Sequence, residues 1–238
     1  NAFNDEVIAE LADTFASLGG REDVRCIVLA ANGPAFCAGA DLNWMKRMAD
    51  YSREENVADA TGLAAMLRTI YQCPKPTIAK VQGDVYAGGT GLVAACDIAV
   101  ASTSAYFAAS EVRLGLIPAT IAPYVIAAIG KRQAHRYFLT GERLSARRAA
   151  EIGLVHEVTE LERLDLAVSG IVDALLAGGP LAQAAVKDLV RGVTAAPDAE
   201  SLPERTAQRI AALRATAEAV EGVNAFLGKR SPTWKSKR

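Results

Sequence analysis

The same pattern occurs twice in this sequence: an apolar strand is followed by a run of small residues and then by a helix. This repeated pattern limits the possible folds more than any other feature. The strands are predicted at Val24–Ala31 and Thr77–Val81, where apolar and β-branched residues form runs typical of buried strands. The small-residue runs are Ala38–Asp41 and Ala87–Gly91. Because each strand is followed by a helix after a few small residues, this alternation of strand and helix predicts a layered α/β core.

The remaining patterns divide the chain into a mixed part and a helical part. Apolar periodicity predicts further elements, which are helices at 4–18, 53–72 and 118–129 and short strands at 97–101, 106–108 and 154–158. Pro118 is predicted to open the third of these helices and Gly130 to close it. From Leu161 to Leu227 the pattern is almost wholly helical. The α/β core is therefore expected to carry a helical C-terminal extension.

Charge, cysteine content and hydropathy limit the partners and the compartment. The 238 residues carry a formal net charge of −1, so no overall positive field favours nucleic acid or an anionic membrane. No apolar run reaches the length of a membrane span. The four cysteines have no CxxC spacing and lie in apolar surroundings, which predicts buried, reduced thiols and a cytoplasmic location.

The sequence contains no dinucleotide-binding fingerprint, no Walker A loop and no spacing of metal ligands. Its two histidines, His135 and His156, have no partners at the spacings of a catalytic triad or a metal site. We therefore expect structural histidines, no bound metal and no redox cofactor.

The two small-residue loops have a chemical interpretation as well as a structural one. Small residues let another molecule approach the backbone, and the start of a helix leaves N–H groups unpaired. Two such N–H groups that converge on one point form an oxyanion hole, and the helix dipole adds to their effect. Tight packing between strand and helix is the alternative interpretation of each loop.

Glu111 is the third feature that carries chemistry. It stands in an apolar run, between Tyr106–Ala109 and Leu114–Ile117. A carboxyl group placed there would be partly desolvated, which raises its pKa and suits it to proton transfer. A solvent-facing glutamate at a strand end is the alternative.

Taken in order, these motifs resemble the enoyl-CoA hydratase/isomerase (crotonase) superfamily. The matching stretches are AFCAGADL at 35–42, VQGDVYAGGTGLVAACDIAVAS at 81–102, SEVRLGLIP at 110–118 and FLTGERLSARRAAEIGLVHEV at 138–158. The resemblance covers nearly the whole chain. It implies a crotonase-like α/β core of repeated ββα units over residues 1–190 and a helical trimerisation region over 191–238. It also implies homotrimers that pair into homohexamers, and an opening strand that would precede Asn1.

The same resemblance implies a role for individual residues. The N–H groups of Ala40 and Gly88 would form the oxyanion hole for a thioester carbonyl, and Glu111 would be one of two hydratase carboxylates. The acyl-CoA substrate, which brings its own coenzyme A, would contact a further set of residues: Cys37, Ala38, Gly39, Asp41, Leu42, Met45 and Gly91.

Gly91 is where this sequence departs from the family's hydratases, which carry the second carboxylate at that position. Three explanations are open. Glu111 could both activate water and protonate Cα, or the reaction could be a double-bond shift that needs one base. The third is that another group has taken over one role, for which the candidates are Asp84, Tyr86, Tyr106 and Tyr124.

A closer resemblance concerns the substrate. The stretches at 40–60, 91–102 and 110–130 look like bacterial hydratases of branched acyl-CoA breakdown, acting on methylglutaconyl-CoA or isohexenylglutaconyl-CoA. The distal carboxylate of such a substrate would favour a nearby cation, for which Lys46, Arg47 and Arg113 are candidates by sequence proximity. The expected function is an enoyl-CoA hydratase, a carbon–oxygen lyase. The alternatives are a Δ3,Δ2-enoyl-CoA isomerase and a non-enzymatic RNA-binding or assembly role.

Overall fold

The computed structural model describes residues 1–197 and 200–235, so five residues of the expected C-terminal region, 198–199 and 236–238, lie outside it. The strands in chain order are β1 (Ile27–Ala30), β2 (Ala35–Cys37), β3 (Thr77–Val81), β4 (Asp84–Tyr86), β5 (Ile98–Ser102), β6 (Tyr106–Ala108), β7 (Leu144–Ser145) and β8 (Glu157–Thr159). The helices are α1 (Asp5–Gly20), α2 (Leu42–Met48), α3 (Arg53–Gln72), α4 (Gly88–Ala95), α5 (Ala122–Thr140), α6 (Ala146–Glu151), α7 (Leu164–Ala177), α8 (Pro180–Thr194), α9 (Leu202–Arg214) and α10 (Ala217–Leu227). Short 3₁₀ helices cover Glu111–Leu114 and Leu161–Arg163.

The described strands form two four-stranded sheets. The first has the order β1-β3-β5-β8, and all its strands are parallel. The second has the order β2-β4-β6-β7, parallel except for the pairing of β6 with β7. Parallel strands need crossover connections, and α3 and α4 supply two of them between strands of the first sheet. The predicted α/β class is confirmed.

The main core lies between the sheets and helices α1, α3, α4 and α5. On α3, Met66, Leu67 and Ile70 are fully buried, and α4 is buried along most of its length. This helix can be enclosed because its residues are small and apolar. It therefore packs closely against both α3 and α5, which fixes the position of its N-terminus.

A second cluster holds the C-terminal helices on the first sheet. Leu164 and Val168 of α7 pack on Ile78 and Val100 of the sheet. On α8, the buried amine of Lys187 donates hydrogen bonds to Asp97 at 2.6 Å and to the Lys75 carbonyl at 2.8 Å.

Among residues 1–197 and 200–235, no single helix is long and apolar enough to cross a membrane. Leu161–Ala177 with Pro180–Thr194, bent by 105°, reaches that length and composition only as a pair.

Most predicted elements are present, with three differences. The predicted strands at 24–31 and 154–158 are shorter or shifted, becoming Ile27–Ala30 and Glu157–Thr159. The predicted helix start at Pro118 is wrong, because α5 begins at Ala122. The predicted helix end at Gly130 is confirmed, since its φ of +73° and ψ of +158° are non-helical and separate the first helical segment of α5 from a second one that ends at Thr140. A start at Pro118 would place Pro123 inside the helix at a cost of about 3 kcal/mol, whereas a start at Ala122 places it in the first turn.

The third difference concerns the strands that precede the small-residue loops. The loops were predicted to follow the strands at 24–31 and 77–81, but each follows an additional short strand. Ala38 comes directly after β2 and Ala87 directly after β4. Both loops therefore leave the second sheet, and leave it from neighbouring strands.

Candidate active site

Three neighbouring strands of the second sheet carry the predicted catalytic residues to one edge. Cys37 of β2 is in register with Val85 of β4, and each is followed three residues later by a predicted oxyanion donor. These donors are Ala40 and Gly88. Since β6 runs parallel beside β4, with Tyr86 in register with Ala108, Glu111 leaves the sheet at the same edge. The carboxyl ends of parallel strands are the usual ligand-binding edge of such a sheet.

The loop that carries Ala40 is held by pairing with the start of the chain. Phe3 and Ala40 form an isolated parallel β-bridge. The Phe3 N–H donates to the Gly39 carbonyl at 2.7 Å, and the Phe3 carbonyl accepts from the Asp41 N–H at 2.8 Å. In this pattern the N–H of Ala40 points away from Phe3. It has no acceptor among the residues that the structure describes.

Local residue types explain the course of this loop. Gly39 has a φ of +87°, a conformation that glycine adopts without the steric cost of a Cβ. Asp41 then caps α2, since its side chain accepts hydrogen bonds from the N–H groups of Asn43 at 2.8 Å and Trp44 at 3.1 Å. The glycine turn and the aspartate cap together fix the peptide unit that presents the Ala40 N–H.

The loop that carries Gly88 turns through a strained residue. Ala87 has φ +48° and ψ −122°, a conformation that residues with a Cβ rarely adopt. It is held by hydrogen bonds from its N–H to the Ala108 carbonyl at 2.7 Å and from the Thr90 N–H to its carbonyl at 2.9 Å. Gly88 is the first residue of α4, so its N–H has no intrahelical acceptor and lies at the positive end of the helix dipole.

The two loops are in direct contact. A Cβ at Gly39 would lie 3.6 Å from the Cβ of Ala87, which is ordinary van der Waals contact. A Cβ at Gly89 would lie only 2.6 Å from that of Cys37, so the glycine is required for this approach. Because Gly39 precedes Ala40 and Ala87 precedes Gly88, the contact brings the two unpaired N–H groups close together.

Glu111 is positioned by the 3₁₀ helix Glu111–Leu114, which starts three residues after β6. Its side chain is half-buried, and its Oε2 atom is buried with no hydrogen-bond partner among the described residues. Desolvation raises the pKa of this carboxyl above its ordinary value. The predicted desolvation of Glu111 is therefore confirmed. A carboxylate without a partner at a ligand-binding edge is available for proton transfer.

The space beside Gly91 is filled by an isoleucine. A Cβ on Gly91 would overlap Cγ2 of Ile121, lie 2.8 Å from its Cβ and lie 3.4 Å from Cδ1 of Leu67. Ile121 is fully buried immediately before α5. A carboxylate side chain at position 91 therefore has no room unless Ile121 moves. The sequence shows the glycine, but only the structure shows what replaces the missing carboxylate.

Comparisons with known proteins agree with this geometry. The family model for enoyl-CoA hydratase/isomerase matches residues 1–237. The chain belongs to the enoyl-CoA hydratase/isomerase family. An enoyl-CoA hydratase structure from Shewanella pealeana is 42% identical, covers 98% of this chain and 87% of its own, and superposes with a TM-score of 0.95. The fold is therefore crotonase-like, as expected.

Two curated relatives show that family members bear different reaction names. An enoyl-CoA hydratase of Alternaria alternata is 31% identical over 99% of this chain and 77% of its own length. A 1,2-epoxyphenylacetyl-CoA isomerase of Escherichia coli is 32% identical over 100% of this chain and 91% of its own. Membership in the enoyl-CoA hydratase/isomerase family thus establishes the class of enzyme, and the residues of the site must decide the reaction.

The groups considered as replacements for the second carboxylate are engaged elsewhere. Asp84 begins β4, at the end opposite Gly88, and accepts hydrogen bonds from Arg143 at 2.7 Å and from the Tyr86 hydroxyl at 3.0 Å. It also accepts from the Tyr106 N–H at 3.0 Å. The ring of Tyr124 packs against that of Tyr71, with centroids 5.2 Å apart. Each of these candidates thus has a partner other than Glu111.

The residues predicted to contact coenzyme A differ in exposure. Cys37 is buried against Gly89, and burial raises the pKa of its thiol. Ala38 is exposed, and Leu42 is 73% exposed at the start of α2. Met45 is half-buried on the same helix. The exposed residues Ala38 and Leu42 thus lie on either side of Ala40 in the chain.

Proposed function

We propose that this protein adds water to, or removes it from, the 2,3 double bond of an enoyl-CoA thioester. The observation that carries the proposal is the meeting, at one sheet edge, of two unpaired backbone N–H groups and one desolvated carboxylate. Those groups belong to Ala40, Gly88 and Glu111. Donors for a developing oxyanion and a base for water are the parts that this reaction requires.

The proposed reaction begins with the thioester carbonyl between the Ala40 and Gly88 N–H groups. Their hydrogen bonds draw electron density toward oxygen and make Cβ electrophilic. Glu111 takes a proton from water as the new C–O bond forms at Cβ, and the π electrons move through Cα to leave an enolate. Losing one oxyanion donor costs about 3–4 kcal/mol in other enzymes, so both donors are central to the rate.

In this mechanism Glu111 also returns its proton to Cα. The net change is the addition of one water molecule, and the carboxylate is regenerated. The arrangement around Gly91 supports a single acid/base group, because Ile121 fills the space where a second carboxylate would stand. Asp84, Tyr86 and Tyr106 support it as well, since they form their own polar cluster with Arg143.

For the acyl group we propose a branched substrate of the methylglutaconyl type. The support is the sequence resemblance over 40–60, 91–102 and 110–130, together with the cations that lie close to the site residues in sequence. Arg47 already pairs with Asp5 at 2.6 Å. This leaves exposed Lys46 and Arg113 as the better candidates for a distal carboxylate. Ile121 fills the space beside Gly91, which weakens the predicted contact of Gly91 with the acyl-CoA substrate.

A double-bond isomerase is the second candidate, and the single carboxylate favours it specifically. One base can remove a proton and return it at another carbon without any water. Crotonyl-CoA, 3-hexenoyl-CoA and 3-methylglutaconyl-CoA assayed side by side distinguish the two reactions. We expect 3-hydroxyacyl-CoA products from crotonyl-CoA and 3-methylglutaconyl-CoA, with the faster turnover on 3-methylglutaconyl-CoA, and no hydration of 3-hexenoyl-CoA. Conversion of 3-hexenoyl-CoA to its 2-enoyl isomer without hydration of either other substrate would overturn the hydratase assignment.

Several expectations accompany this proposal. We propose a homotrimer or homohexamer in the cytoplasm, with coenzyme A arriving as part of the substrate and no further cofactor. Of the two non-enzymatic alternatives, RNA binding and an assembly role, the first is disfavoured by the net charge of −1. Retention on immobilised RNA at two salt concentrations tests the first of these roles. Salt-sensitive retention together with no turnover of any of the three thioesters would favour it.

A further inference from the structure

Phe3 contacts both loops that carry the proposed oxyanion donors. Its backbone pairs on either side of Ala40, through the Gly39 carbonyl and the Asp41 N–H. Its ring lies against the other loop, since a Cβ on Gly88 would be 2.9 Å from Phe3 Cε2 and 3.2 Å from Cδ2. The residue is only 3% exposed, so both contacts are enclosed by protein.

We propose that Phe3 is a positioning residue that sets the separation and direction of the two N–H groups of the oxyanion hole. This inference rests on the proposed function, because it concerns the same hole. The main-chain bonds of Phe3 fix the direction of the Ala40 N–H, while its ring limits how far Gly88 can shift. One residue thereby couples two loops that come from different strands.

The physical reason for such a residue lies in the loops themselves. The Gly88 N–H follows Ala87, whose positive φ is held only by its surroundings. The Ala40 N–H follows Gly39, which has more backbone freedom than any other residue type. Hydrogen-bond strength depends steeply on angle, so a small rotation of either peptide weakens the hole. The main-chain hydrogen bonds of Phe3 restrict the Ala40 peptide, and its stiff aromatic ring restricts the Gly88 peptide.

The test uses a chromophoric probe, a cinnamoyl-CoA thioester with an electron-donating amino group on its ring. Its absorption moves to longer wavelength when the carbonyl oxygen accepts strong hydrogen bonds. We expect the wild-type protein and Glu111→Gln to shift the probe fully, because both have an intact hole. Phe3→Ala should show less than half the shift. Its kcat should fall about ten- to hundred-fold, a part of the loss seen when a whole donor is removed.

Phe15→Ala is the matched control, because Phe15 is a phenylalanine of α1 that is 2% exposed. It should lose stability like Phe3→Ala but keep the full shift and the wild-type kcat. Phe3→Leu keeps an apolar side chain in contact with Gly88 and should recover most of the shift. If Phe3→Ala does not fold, Phe3→Leu and Phe3→Val carry the test, with a smaller shift for the shorter valine.

Each outcome has a defined meaning. A full shift and wild-type kcat in Phe3→Ala would overturn the role of Phe3 while leaving the hole intact. A kcat loss in Phe15→Ala as large as that in Phe3→Ala, with the same reduction of the shift, would also overturn it. A wild-type protein that binds the probe with no shift would overturn the oxyanion hole itself, which distinguishes failure of the proposed function from failure of this inference.

Discussion

The two sheets of this protein differ in ways that follow from their sequences. In the first sheet, β3 and β5 are five residues long, pair in continuous register and are buried on both faces. In the second sheet no strand exceeds three residues, and the pairing of β2 with β4 is interrupted by an irregularity at Ala35 and Cys37. The proposed site residues leave the second sheet.

Short strands with small residues at their ends leave the backbone exposed where a ligand can reach it. Long apolar strands instead provide the buried area on which the helices pack, at roughly 25 cal/mol for each Å² of apolar surface removed from water. The difference between the two sheets therefore predicts which substitutions affect turnover and which affect stability. Substitutions at the edge of the second sheet should change turnover, and those around the first sheet should change stability.

Glu111→Gln should have the largest effect. The amide cannot take a proton from water, so we expect kcat to fall about a thousandfold or more, while thioester binding changes less than about threefold. Steady-state assays measure kcat, and isothermal titration calorimetry with a non-reactive acyl-CoA measures thioester binding. A residual rate above one tenth of wild type would show that another group is the base. It would also contradict the expectation that the edge of the second sheet controls turnover.

Lys187→Met should mainly affect stability. It removes the ion pair that joins α8 to Asp97 at the end of the first sheet, and leaves a poorly compensated carboxylate. We expect the free energy of unfolding to drop by about 3 kcal/mol with kcat within twofold of wild type. Denaturant titration provides the measurement.

Lys80→Met is the control for this substitution, since it removes a surface pair with Asp165, whose side chain is 84% exposed. It should cost under about 1 kcal/mol. Equal losses in the two variants would contradict the importance assigned to the buried pair.

Gly91→Ala should cost about 2 kcal/mol of stability, because its Cβ overlaps Ile121. The cost should fall by about 1 kcal/mol when Ile121 is already alanine. A double-mutant cycle of thermal unfolding measures this coupling. Additive effects would mean that Ile121 does not occupy the space beside Gly91, and would reopen that space to substrate.

The smallest predicted effect concerns pH. Because the fold raises the pKa of Glu111, it favours the neutral carboxyl, so the stabilising contribution is present at low pH and is lost as pH rises through the raised pKa. Glu111→Gln should therefore melt above wild type at pH 7, by a margin on the order of 2 °C. The difference should vanish below about pH 4. A constant difference across this range would exclude the ionised carboxylate as its cause.

Activity should depend on pH in the opposite direction. The base form of Glu111 is ionised, so kcat/KM should fall as pH decreases through the raised pKa. A profile that stays flat down to about pH 4.3, the ordinary pKa of a glutamate, would contradict the desolvated position.

The sequence predicted what local pattern can encode. The helix at 53–72 and the strand at 77–81 were found as predicted, because helical periodicity, an apolar run and the prolines between them define these two elements. Glu111 could be selected because it interrupts an apolar run. Phe3 and Ile121 could not be found in this way, because their importance depends on contacts with residues 85 and 30 positions away. The short strands β2 and β4 were missed because each follows a glycine-containing turn and leads directly into a small-residue loop.

The contact between Gly91 and Ile121 constrains the evolutionary routes open to this site. A chain that gains glutamate at position 91 first must place a charged side chain against a fully buried isoleucine, so that intermediate folds poorly. A chain that first shrinks Ile121 accepts only a cavity, which costs about 2–5 kcal/mol. Replacement of Ile121 before Gly91 is therefore the favoured order. The intermediate between this protein and a two-carboxylate form is then less stable than this protein.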